Sequence, residues 1–345
     1  MVVRAIEGAW RRIHNAPLRV GVWARAHTHL HKETAEREEE ERDIKDLHIG
    51  APEIRYRGLH NILSGEGFIQ LVEHIQVTDA VAIAVNEFGS NLTCVALEEE
   101  LVFVDAGLLT WYASEFRAAM EDKHGKKAST LLLTHGHIDH FFGIKAFSDC
   151  EVIAAEAARS RLEYFCGLEF TEEYAESRSG VFPYLKEAIE DYELRLPTRW
   201  VRDKLSIGDV LSFEVVGGHS ADSSVVVSEP LGVCIAGDLV QAERYPYFGE
   251  PDTDLGKWVQ ALRKWSAMDI WHVLPGHGPP VTAAYLKGVA EFFESLMHKV
   301  SDLKQRGVSV DEVSTHPELP KGYWPTDAVR KPGYDFSVRN LYESV

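Results

Sequence analysis

Residues Thr134-His135-Gly136-His137-Ile138-Asp139-His140-Phe141-Phe142-Gly143 place three histidines and an aspartate within six positions, directly after the apolar run Ser129-Thr130-Leu131-Leu132-Leu133. A buried strand followed at once by a donor-rich turn constrains the fold more than any other stretch, because the remaining chain must close around that turn. Imidazole nitrogen and carboxylate oxygen are the ligands that Zn²⁺ and similar first-row metals take. A lone histidine there would more often be an ordinary polar residue; four donors in one turn point to a metal.

A chain of 345 residues can bury a large core in one domain or two, and 45% hydrophobic with 26% charged residues is a globular balance. The formal net charge of −18 repels a phosphate backbone, which disfavours nucleic acid as a partner. Cys94, Cys150, Cys166 and Cys234 are widely spaced without a CxxC pair, so neither a thiolate zinc site nor a disulfide framework is expected. Arginines at 4, 11, 12, 19 and 25 interrupt any signal-peptide core, and no apolar run has the length of a bilayer span. A soluble cytoplasmic protein that engages no membrane is the expectation.

Residues 1–67 read as a charged N-terminal extension. His27, His29 and His31 would share one face of a strand and could there make a second metal site, although such tracts more often serve surfaces or interfaces. Glu33 to Asp46 is acidic and helix-favouring, with Glu38/Arg42 and Glu41/Lys45 at i,i+4 spacing. The domain proper spans 68–305. Short strands are expected at 69–77, 80–87, 91–97, 101–105, 129–134 and 151–155, then at 199–202, 210–216, 223–228, 232–236 and 271–274. Helices are expected at 109–124, 141–147, 254–267 and 281–304, with a helical insertion at 157–195. Residues 306–345, with four prolines, read as an extended tail with one short helix, packing on the core or on a partner subunit. Two strand groups with attached helices imply an α/β (α+β) architecture of two sheets face to face with helices outside.

Three later positions stand at expected strand ends: His219 in Gly217-Gly218-His219-Ser220, Asp238 in Ala236-Gly237-Asp238, and His277 in Pro275-Gly276-His277-Gly278. With Asp105 and HxHxDH at 135–140, the set resembles the metallo-β-lactamase superfamily over about residues 68–300. The resemblance implies the metallo-β-lactamase fold, a four-layer αββα sandwich with two mixed β-sheets face to face and helices outside. It implies that His135, His137 and His219 hold a first metal, Asp139, His140 and His277 a second, and Asp238 both, with Asp105 orienting a histidine ligand. The implied cofactors are two divalent ions, Zn²⁺ foremost, with Fe or Mn as alternatives.

One major type of class B β-lactamase carries cysteine at the position of Asp238, which turns the resemblance toward the glyoxalase II and lactonase branch. The implied chemistry is hydrolysis of a small-molecule ester-like bond (a thioester, lactone or related carboxylic derivative) by hydroxide generated at the metal pair, with Asp139 and Asp238 as the catalytic carboxylates. A mononuclear iron persulfide dioxygenase, sharing His135, His137, His219 and Asp238, is the redox alternative. A non-catalytic metal-containing binding protein is the third. Phe141 and Phe142 beside the motif, and Tyr245, Tyr247 and Phe248 after Asp238, are the expected walls of an apolar substrate pocket. The extension and tail outside the family core make a homo-oligomer an expectation.

Overall fold

Short β-branched and leucine-rich runs, each a few residues long and bounded by turn signals, form the strands of two sheets in this computed structural model, which describes residues 74–320, 322 and 331–345. The expectations for 1–67, His27, His29 and His31 included, lie outside the described residues. In chain order the strands are β1 (Ile75–Gln76), β2 (Val81–Ala84), β3 (Leu92–Ala96), β4 (Leu101–Val104), β5 (Ala128–Leu133), β6 (Glu151–Ala155), β7 (Arg199–Val201), β8 (Lys204–Ile207), β9 (Leu211–Val215), β10 (Ser224–Ser228), β11 (Val233–Gln241) and β12 (His272–His277). The α-helices are α1 (Thr110–His124), α2 (Ile138–Phe141), α3 (Arg159–Cys166), α4 (Glu172–Ser177), α5 (Leu185–Ala188), α6 (Leu255–Ser266), α7 (Ala283–Gln305), α8 (Val310–Val313) and α9 (Lys331–Ser344).

The first sheet runs β1 to β7 in chain order and the second runs β12-β11-β10-β9-β8. Short connections without a helix join β1 to β4, and those pairs are antiparallel, whereas α1 and the later helices carry the chain over to parallel β5, β6 and β7. In the second sheet only β11 and β12 are parallel, with α6 as their crossover. Both sheets are therefore mixed.

Side-chain alternation along each strand then sorts the core into layers. Val81, Ile83, Val102, Val104 and Leu132 face Phe213, Val226, Ile235 and Leu274 between the sheets. Their neighbours Phe103, Leu131 and Leu133 turn outward onto Phe116 and Met120 of α1, and Val225, Val227 and Val273 turn onto Trp258, Leu262 and Phe293 of α6 and α7. Burial of such side chains contributes about 1.5–3 kcal/mol each. The strand ends that carry the polar residues are thus held from both faces.

Three elements differ from the sequence expectation. The strand expected to stop at 236 continues to Gln241, so Asp238 lies inside β11, where pairing with β12 shifts register on either side of Gly237. The edge strand β8, with alternating exposed and half-buried residues, carries too weak an apolar signal to be seen. The tail holds a 14-residue helix, α9, which buries Tyr334, Val338 and Leu341 against the α6–α7 layer of its own core. Pro332 falls in its first turn, where the missing N–H costs no helical bond. Among the described residues no helix is long and apolar enough to cross a membrane.

Candidate metal centre

The centre lies where the ends of β4, β5, β11 and β12 meet. Asp105, just after β4, adopts φ 60°, a left-handed conformation that aspartate tolerates better than most residues. Its buried carboxylate accepts from the Thr134 backbone N–H (2.8 Å), from Thr134 Oγ1 (2.8 Å) and from His140 Nδ1 (2.9 Å), which ties the end of β4 to the turn after β5. Two glycines let the loops come close. Gly218, at φ 116°, would carry a Cβ only 3.0 Å from Trp258 Cβ. A Cβ on Gly276 would lie 2.1 Å from Asp238 Oδ1.

This folding gathers all seven donors named from the sequence into two groups, His135, His137, His219 and Asp238 in one, Asp139, His140 and His277 in the other, with the ligand atoms of each group within 4.8 Å of one another. Asp238 reaches both: Oδ2 is 3.7 Å from His219 Nε2, while Oδ1 is 3.2 Å from His140 Nε2 and 3.4 Å from His277 Nε2. Asp139 Oδ2 is 3.3 Å from His277 Nε2.

The outer nitrogen of four of the five histidines is hydrogen-bonded from behind, which fixes the one that faces inward. A carbonyl can only accept, so His219 Nδ1–H donates to Tyr247 O (2.9 Å) and His277 Nδ1–H to Gly89 O (3.1 Å). His140 Nδ1–H donates to Asp105, and His135 Nδ1–H to Thr134 Oγ1 (3.1 Å), whose own proton goes to Asp105. His137 is turned the other way: Glu250 Oε1 lies 3.4 Å from its Nε2, and its Nδ1 faces His219 Nε2 at 3.1 Å. With both rings in the ligating tautomer these nitrogens carry lone pairs that repel unless a cation lies between them; without one, a ring proton is shared there as a hydrogen bond. Tetrahedral zinc bonds of about 2.0–2.1 Å place neighbouring nitrogens about 3.3 Å apart, so the spacing suits a cation. His135 Nε2 is buried without a hydrogen-bond partner, which is costly for a polar atom that has no ion to bind, and His137 Nε2, His140 Nε2 and Asp238 Oδ1 have ionic neighbours at 3.2–3.4 Å but no hydrogen bond. The residues fit divalent metal.

The charges agree. Burial, with His140 and His137 close by, holds His135 well below the ordinary imidazole range, and burial and His137 push His219 down to about 4. Both therefore stay in the neutral form that ligates. Around the second group, burial opposes charge but the carboxylates of Asp238, Asp105 and Asp139 outweigh it and hold His140 well above its usual range; Asp238 and Asp139 raise His277. Against the same burial, His140 and His277 bring Asp139 down to about 2 and Asp238 well below the carboxylate range.

The expected pocket walls are corrected in part. Phe141 and Phe142 are fully buried under the first sheet, packed on Phe165, Phe170 and Tyr192, so they back the motif and face no substrate. Phe248 is buried against Phe293 and Tyr334. Tyr247 stays beside the site, its ring 6.3 Å from His219, and Tyr245 stacks 4.8 Å from Tyr334. Sequence reasoning missed Glu250, Arg161, Asp222 and Gln241, whose amide donates to Asp238 Oδ2 (3.0 Å). Only Asp222, three positions after His219, has a spacing that could have drawn notice.

The model of the metallo-beta-lactamase superfamily matches residues 85–277, which contain every donor of both groups. The chain belongs to the metallo-beta-lactamase superfamily. Solved structures of the superfamily share the fold. A metallo-beta-lactamase from Hirschia baltica aligns with a TM-score of 0.50 at 20% identity, over 65% of this chain and 98% of that one. A metallo-beta-lactamase family protein from Thermus thermophilus aligns with a TM-score of 0.56 at 17% identity, over 77% of this chain and 93% of that one. No curated protein matches the sequence significantly. At these identities the superfamily neighbours speak for the architecture alone.

Proposed function

We propose that this superfamily member is a hydrolase that works with two divalent metal ions, zinc foremost, and cleaves an ester-like bond in a small molecule: a thioester, a lactone or a related carboxylic derivative. The observation that carries this reading is the posture of Asp238, one oxygen toward His219 and the other toward His140 and His277. His135, His137, His219 and Asp238 would hold the first ion, and Asp139, His140, His277 and Asp238 the second. Bound there, the ions supply a water of lowered pKa and polarise the acyl oxygen.

The chain's own residues do the rest. Asp238 is kept in place by the Gln241 amide. Asp139 is held ionised, with Oδ2 toward His277, which leaves Oδ1 to take the proton of the attacking water and pass it to the leaving group. The second donor group, Asp139, His140 and His277, favours a two-metal hydrolase over the mononuclear iron dioxygenase, because a single ion needs only one group. Four free cysteines, three of them buried, suit a reducing compartment such as the cytoplasm.

Asp238→Ala is expected to abolish turnover and to remove the second metal, read by metal analysis alongside a screen of esters, thioesters, lactones, phosphodiesters and persulfides. Full turnover with one metal or none would overturn the two-metal reading. Oxygen consumption with a persulfide would replace it by the dioxygenase.

A further inference from the structure

One nearly buried cation joins the supports behind the first half of the centre. Arg161, on α3 in the helical insertion, has a side chain only 12% exposed, with its guanidinium 3.3 Å from Asp222 Oδ1, 3.5 Å from Glu250 Oε2 and 3.4 Å from Asp252 Oδ2. Each of these carboxylates meets the centre at a second point. Asp222 Oδ2 accepts the Gly136 N–H (2.6 Å), between His135 and His137. Asp252 Oδ2 accepts the Ala221 N–H (3.2 Å), two residues after His219. Glu250 Oε1 faces His137 Nε2.

Glu250 belongs to the loop that also presents the Tyr247 carbonyl to His219 Nδ1. That loop rests on α9. Ser337 Oγ accepts the Phe248 N–H (3.1 Å), Asn340 Nδ2 donates to Gly249 O (3.2 Å), and Phe336 packs so close to Gly249 that a Cβ there would lie 2.8 Å from its ring. The outer nitrogens of His140 and His277, by contrast, are held by Asp105 and Gly89, on other elements.

We propose that Glu250 and Arg161 are positioning residues that preset the first half-site, with α9 as the brace of the loop that carries Glu250. This rests on the reading of His135, His137, His219 and Asp238 as metal ligands. Glu250 selects the His137 orientation in which Nδ1 points inward, the reverse of the other four histidines. Arg161 holds that carboxylate and the Gly136 backbone in one register. Without Glu250 the His137 ring has no charge behind it and can turn over, whereas the second half-site keeps its own supports.

The test is a cobalt titration of the metal-free full chain, followed by visible absorption. In the wild type two binding steps are expected. Glu250→Ala should weaken the first by about 10–100-fold, the usual cost of losing such a support, and leave the second unchanged. Glu250→Gln, whose amide oxygen can still accept from Nε2–H, should recover part of the loss. Arg161→Lys and Phe336→Ala should shift the same step by less. In the zinc-loaded protein the ring N–H resonance of His137 should exchange faster with water in Glu250→Ala, while that of His277 stays protected. Unchanged first-step affinity in Glu250→Ala, or equal weakening of both steps, overturns the inference alone. A wild-type protein that binds no cobalt overturns the metal reading, and the inference with it.

Discussion

His140 lies among three carboxylates, donating from Nδ1 to Asp105 and facing Asp238 from Nε2. Without metal, the positive charge that balances these buried acids comes from protons on His140 and His277, both raised above the ordinary imidazole value despite burial. An ion in the second half-site must displace those protons, since a protonated imidazole cannot ligate. His135 and His219, held below the ordinary value by burial and neighbouring histidines, give up none near neutrality. Lowering the pH from about 8 to about 6 should therefore weaken the second binding step by up to about tenfold per pH unit for each proton displaced, and the first step less. Calorimetry in buffers of different ionisation enthalpy measures the release directly; equal pH dependence of both steps would contradict the assignment. The inward donors were legible in the sequence because HxHxDH is local and the three later residues each sit beside glycines after an apolar run. Their outer partners were not. Glu250 is one of 54 acidic residues, and the Tyr247 and Gly89 carbonyls belong to the backbone, which carries no sequence signal. Phe141 and Phe142 mislead for a related reason: each step along a helical turn rotates the side chain by about 100°, so residues next to a ligand in sequence point away from it in space.

Among the elements, the short helical stretch after the motif is pinned at Gly143. Its N–H donates to Gly107 O (2.9 Å), and a Cβ there would lie 2.3 Å from the Ala106 carbonyl oxygen. That carbonyl belongs to the segment following Asp105, while the Ala106 N–H donates to His140 O (2.7 Å), so the β4 end and α2 are laced together by backbone. Gly143→Ala should thus cost roughly 1–3 kcal/mol, the range for overpacking against an unyielding neighbour, and disturb metal uptake with it. Denaturant unfolding of the metal-free variant measures the loss, and an unchanged midpoint would show that the segment can give way. Strands buried on both faces were legible because their Val, Leu and Ile runs are nearly continuous, as in β4, β5 and β10. The edge strand β8 and the helix α9 were not, β8 for want of a buried face along its length and α9 because Pro332 and Gly333 disguise its first turn.

Across the whole molecule, the two sheets supply different donors. The first delivers Asp139 and His140 after β5, and the second delivers Asp238 from β11 and His277 from β12. A metal that binds this assembled set and not the unfolded chain stabilises the fold as a whole, by about 4 kcal/mol when present at a thousand times its dissociation constant. For a domain of this size each kcal/mol moves the melting temperature by about 2 °C. Chelation should therefore lower Tm by roughly 8 °C, and added Zn²⁺ should restore it. Asp238→Ala separates this from a general effect of the chelator: with the proposed shared ligand gone, its Tm should respond to chelator and zinc much less than that of the wild type. A wild-type Tm that ignores both would mean that the two sheets are held by their apolar layers alone and that the gathered donors hold no ion. The buried Nε2 of His135, which has no hydrogen-bond partner, argues against that outcome, because leaving it unpaired would give up stability at a place to which both sheets bring donors.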